Sequence, residues 1–161
     1  MALSLEAQGK AWQKVAKYLA GANPVVQAQF KALREYLVSQ GGNPDIQVIP
    51  FSDADITTAT GYSPIGVACT VYGVYAAKTG TSGTGTGTDS WLTVGNAATN
   101  TVDTTKFIAL MTSLDGQEVA AVYPTGLIFG TDLTISGETS AQDGTESTAG
   151  DSMNGFVVVG A

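Results

Sequence analysis

"KFIALMTSLDGQEVAAVY" (residues 106–123) decides how the chain is read. Two short runs rich in apolar and β-branched residues flank "SLDGQE", in which Asp115-Gly116 is a strong turn dipeptide. Asp-Gly between two such runs is the signal of a β-hairpin, because both turn residues tolerate positive φ. Working outward from this pair, similar short runs separated by turn residues occupy 46–51, 66–77, 90–95, 105–112, 117–123, 126–136 and 153–160. Six to eight short strands with no helix between them predict a β-sandwich or jelly roll.

The first forty residues follow a different period. Ser4 can cap a helix in which Leu5, Trp12, Val15, Ala16 and Leu19 share one face, with Lys10, Lys14 and Lys17 on the other. Gly21 stops it, and Asn23-Pro24 restarts the chain as N-cap and first helical residue. Val26, Phe30, Leu33 and Leu37 form the second stripe, and Gly41-Gly42 closes it. The expected fold is thus mainly β, with a two-helix hairpin arm at 1–42 and a β-sandwich body at 43–161. On this reading, removing residues 1–40 leaves the body folded.

Charge divides at nearly the same place. Residues 1–40 set Lys10, Lys14, Lys17, Lys31 and Arg34 against Glu6 and Glu35, a balance of +3. Residues 41–161 set Lys78 and Lys106 against twelve acids, a balance of −10, so the whole chain carries −7. The plain reading of the five cations is a solvated helix face; the functional one is docking on an acidic surface, where complementary charge guides encounter and register. An acidic chain is a poor general partner for nucleic acid.

Chemistry is scarce. The absence of histidine removes Ser-His-Asp and Cys-His catalysis and the commonest metal ligand. The single cysteine, Cys69, forms no intramolecular disulfide and has no basic neighbour to activate it, so it reads as a buried structural thiol. Asp53 and Asp55 in "FSDADIT" resemble the start of a calcium loop, but Thr58 and Pro64 stand where glycine and glutamate are needed; a turn before a strand explains them. Asp143, Glu146 and Asp151 lie in a polar loop that they keep solvated. The N-terminus lacks the apolar core of a secretory signal, and residues 56–77, though uncharged, are broken by Pro64 and glycines and read as strands and turns rather than a membrane span. No catalytic residue, cofactor, metal or small-molecule substrate is expected.

"KTGTSGTGTGTDS" (78–90) fits neither phosphate-binding pattern: Thr86 and Gly87 replace the lysine and hydroxyl of a Walker loop. Within "TGTGT" (84–88) the alternation would place threonines on one strand face and a bare glycine face on the other. A hairpin tip is the plain reading. The alternative is an intersubunit contact through Thr84, Gly85, Thr86 and Gly87, ordered by addition to a neighbour's sheet edge.

The stretch 106–136 has a further property. After the two runs, "YPTGLIFGTDLTIS" resembles the C-terminal part of β-sandwich structural proteins of tailed-phage virions, where a P-x-G-L-x-F-x-x-G-L-x-I run precedes an Asp/Thr-rich loop and a last strand. Pro124, Gly126, Leu127, Phe129, Leu133 and Ile135 fit; Asp132 stands where glycine is usual. The preceding strand, loop and strand at 71–101 are similar too, so the resemblance spans about residues 65–160 and leaves out the helices. It implies a capsid decoration or cement protein, or a head-fibre base, on the exterior of the virion head after synthesis in the host cytoplasm. It also implies the major capsid protein as partner and a homo-oligomer, with a trimer favoured. Neither nucleic acid nor membrane is an expected partner. The rival reading is a glycan- or receptor-binding tail or fibre module; an enzyme would need a cleft of convergent carboxylates.

Overall fold

The structure, a computed structural model, describes residues 5–40, 46–56, 61–81, 90–99, 106–113, 116–138 and 151–160, with the side chains of 5–8, 79–81 and 151–152 outside that description. Two helices, α1 (Leu5–Tyr18) and α2 (Pro24–Ser39), precede β1 (Ile46–Phe51), a one-turn helix α3 (Asp53–Ile56), β2 (Cys69–Thr81), β3 (Ser90–Gly95), β4 (Lys106–Thr112), β5 (Glu118–Phe129), β6 (Thr134–Glu138) and β7 (Asp151–Gly160). The strands form two antiparallel sheets, β1-β7-β2-β5 and β4-β3-β6. The body is the expected β-sandwich.

β7 explains how the layers stack. It lies inside its sheet between β1 and β2, and its run "FVVV" is buried throughout. Val157 and Val159 join Ile49, Val71, Val74, Leu92, Val94, Ile135 and Phe129 in the core between the sheets. Phe156 and Val158 point the other way, into a second core with Trp12, Val15, Leu19, Phe30, Leu33 and Leu37 of the helices. Alternate residues of a strand face opposite sides, so a continuous apolar run needs cover on both. The helical hairpin supplies the second cover: α1 packs on β1 and α2 on β5. The segment expected as an arm thus shares a core with the body. Its removal would expose Phe156, Val158 and Tyr75, so the body should not stay folded without residues 1–40.

Phe156 is the hub of that contact, with ring centroids of Phe30, Tyr75 and Tyr18 at 5.2, 5.5 and 5.6 Å. Two glycines make room. At Gly73 an added Cβ would lie 2.8 Å from Phe30 Cε1, and at Gly155 it would lie 2.0 Å from the Tyr75 carbonyl oxygen and 2.7 Å from Phe51 Cζ. Both therefore mark close approach of another group to the sheet backbone.

The Asp115-Gly116 hairpin is corrected. β4 pairs with β3 and β5 with β2, so the dipeptide joins strands of opposite sheets. The Gly116 N–H donates to the Lys78 carbonyl at 2.8 Å and the Lys78 N–H to the Gln117 carbonyl at 3.0 Å. The turn is thus satisfied by β2, and no β4–β5 ladder is needed; Leu114 and Asp115 lie outside the described residues. The runs 117–123 and 126–136 are also redrawn. β5 continues through Tyr123–Gly126 as a bulge, since Val122 pairs with Gly73 and Leu127 with Val71. It ends at Phe129, and 130–133 carries the chain across to β6 in the other sheet. Sequence reasoning also placed no helix among the strands, but "DADI" forms α3, whose Ile56 plugs the sandwich end against Gly137.

Candidate functional site

The hairpin carries the candidate cations, and the Asn23-Pro24 start of α2 is as expected, while Ser4 and Gly41-Gly42 lie outside the described residues. Asn23 Oδ1 accepts from the Val25 N–H at 2.9 Å, with Pro24 in the first turn. Trp12, Val15 and Leu19 face the sheet, which leaves Lys10, Lys14 and Lys17 exposed on the outer side of α1. Ala16, expected on the buried face, is exposed at its margin, and Tyr36 of α2 is likewise exposed. Lys31 and Arg34 are exposed on α2. Lys31 Nζ lies 3.9 Å from Glu35 Oε1, with both side chains mostly in solvent, so this pair holds neither charge firmly.

Because α1 and α2 sit on different strands, they meet only briefly and leave a groove of about 310 Å³ between them. Trp12, Val15, Leu19 and Phe30 form its apolar floor, Ala16 one margin, and Gln27, Lys31 and Arg34 the polar rim. Gln27 Nε2 donates to the Leu19 carbonyl at 2.8 Å, tying the end of α1 to α2. At the hairpin's turn, Glu118 accepts from the Asn23 N–H and the Tyr75 hydroxyl, both at 2.7 Å. Burial first, then the hydrogen bond and charge of Glu118, push the Tyr75 hydroxyl well above its ordinary pKa. The groove walls are therefore fixed to each other and to the sheet.

The second candidate contact, Thr84, Gly85, Thr86 and Gly87, lies outside the described residues, as do Asp143 and Glu146. Its flanks are described: β2 ends at Thr81 in one sheet and β3 begins at Ser90 in the other. The run therefore connects the two layers and is not the tip of a β2–β3 hairpin. Of the calcium-like pair, Asp55 accepts from the Ser52 N–H and hydroxyl, both at 2.8 Å, and so closes the turn that starts α3. Among the described residues no group of three or more His, Cys, Asp or Glu could hold a metal ion, and no helix is long and apolar enough to cross a membrane.

Three polar features escaped the sequence reading. Asp132, buried at the crossing from β5 to β6, accepts from the Leu133 N–H at 2.7 Å, the Gly66 N–H at 3.0 Å and the Ser63 hydroxyl. It anchors the loop before β2, which also bridges Tyr62 to Ile135. Lys106 and Glu138 form an ion pair with side chains 4% and 0% exposed. Lys78 is buried, its Nζ 3.4 Å from Ser90 Oγ. Asp132 shows in the sequence as an interruption of the apolar run "LIFGTDLTI", at the place where the resembled run has glycine. Lys106 and Glu138 lie 32 residues apart, and no local pattern links them. Cys69 is buried as expected; burial, then the negative charge of Asp132, raises its thiol from 9.0 to about 11.

Comparison with known proteins returned no matching family model, no matching curated protein and no matching solved structure.

Proposed function

We propose that the chain is a virion structural protein, a decoration or cement protein that binds and stabilises the head shell of a tailed phage. Its partner on this reading is the major capsid protein, and it acts as a homo-oligomer, with a trimer favoured, on the head exterior. The observation that supports it is the placement of charge. The five hairpin cations are exposed on helices laid along one side of a body whose remaining charge is −10. Such a layout gives one face a distinct sign, and complementary potential sets orientation during docking.

The apolar stripes of the helices are largely covered by the chain's own sheet, and the part they leave open is the floor of the groove between α1 and α2. The contact is assigned to the cations and the groove margin. The alternative, a glycan- or receptor-binding fibre module, draws support from exposed Phe107 and Met111 on the edge strand β4. Imaging undecorated heads mixed with the purified chain separates the two. Added density at regular shell positions, helices inward, is the expected result. Bare shells together with retention on a glycan array would overturn the proposal in favour of the fibre module.

A further inference from the structure

We infer that the groove between α1 and α2 receives an acidic amphipathic segment of the shell protein, with apolar side chains on its floor and carboxylates on its Lys31–Arg34 rim. The inference rests on the shell-binding reading above and assigns that contact a place and a chemistry. The floor is made of Trp12, Val15, Leu19 and Phe30, and its volume of about 310 Å³ suits a couple of large side chains. Small-ligand pockets begin at about 300 Å³ and enclose most of their ligand, so an open groove of this size fits anchors projecting from a longer chain. A helix laid in an apolar groove binds in this way, through side chains about one turn apart.

The rim sets the sign. Lys31 and Arg34 are one turn apart on α2 and lie beside the floor, and Glu35, 3.9 Å from Lys31 Nζ, is itself largely solvated. Arg34 can grip a carboxylate through two parallel N–H donors, which a solvated lysine does less well. Lys14 and Lys17 add positive charge on the outer side of α1. An acidic segment therefore meets apolar and ionic complements at the same site, while a basic one meets only the apolar part.

The test measures anisotropy of three labelled synthetic amphipathic helices that share one leucine stripe and carry acidic, neutral or basic outer faces. The acidic helix should bind the full chain tighter than the basic one by on the order of tenfold, from two or three partly screened pairs. Lys31→Glu with Arg34→Glu should reverse that order, Lys31→Gln with Arg34→Gln should level it, and Ala16→Trp should abolish binding by filling the margin. All five substitutions are at exposed positions, and circular dichroism verifies the fold. Equal binding of the three helices, an order unchanged by charge reversal, or full binding by Ala16→Trp overturns the inference. Self-association of the free chain that the charge reversal dissolves would make a second copy the occupant and also overturn it. Pelleting of the chain with shells is scored separately. Shell binding without peptide preference removes the groove and leaves the shell-binding reading intact; peptide preference without shell binding removes the shell as the source.

Discussion

The contact between helices and sheet can be tested at Gly73, where the packing margin is smallest. A methyl group there would lie 2.8 Å from Phe30 Cε1, 3.3 Å from Cζ and 3.4 Å from Leu33 Cδ2. Phe30 is 2% exposed and its ring centroid is 5.2 Å from that of Phe156, so Phe156 blocks its retreat on that side and the ring can yield only toward the groove, at the expense of its packing. Overpacking of this kind costs about 1–3 kcal/mol. Alanine also restricts the unfolded chain, which offsets about 0.4–1 kcal/mol. Gly73→Ala should thus destabilise by about 1–2 kcal/mol, a fall of roughly 2–8 °C in Tm for a chain of this size. Phe30→Leu removes the opposing ring, so the double variant should be less destabilised than the two singles combined, by about 1 kcal/mol. Urea unfolding of the four proteins, followed by far-UV circular dichroism, gives the coupling. Additivity within about 0.5 kcal/mol would show that Phe30 does not rest on Gly73, and the layered arrangement would fail with it.

The buried ion pair makes a second prediction: Lys106→Met or Glu138→Gln alone should cost about 3–5 kcal/mol in urea unfolding, while Lys106→Met with Glu138→Leu should recover most of the loss. Asp132→Asn should weaken the hydrogen bonds that fix the loop before β2, at about 1–3 kcal/mol. Faster amide exchange at Gly66 and Leu133 is its signature, and unchanged protection at both would contradict the assignment. Cys69 gives a pH dependence. Its folded pKa, raised from 9.0 to about 11, keeps the thiol protonated in the folded state where the unfolded state ionises. The resulting stability is fully present below pH 9 and is lost as pH rises toward 11, so Cys69→Ala should flatten that part of the stability curve. An identical slope in the variant would assign the decline to other groups.

The sequence revealed what is local. Trp12, Val15 and Leu19, then Val26, Phe30, Leu33 and Leu37, are the buried stripes of the two helices, and strands 46–51 and 90–95 match β1 and β3 end to end. Their periods are set by neighbours three, four or two residues away, within reach of a pattern. Pairing is different. Asp115-Gly116 specifies a reversal of direction but not which sheet receives the next strand; that depends on β2 offering Lys78 to the turn. The docked hairpin did leave a trace, since "FVVV" in β7 is too continuous for a strand with one wet face. The candidate site was half legible. Lys31 and Arg34 could be named as cations from residue type, but the groove beside them exists because α1 and α2 rest on different strands, β1 and β5, which are far apart in sequence.

Co-sedimentation of the purified full chain with undecorated tailed-phage heads, across a range of salt, tests the central claim most directly. The account predicts saturable pelleting that weakens as salt rises and drops in Lys31→Glu with Arg34→Glu. A chain that stays in the supernatant at every salt concentration, with heads intact, would contradict it.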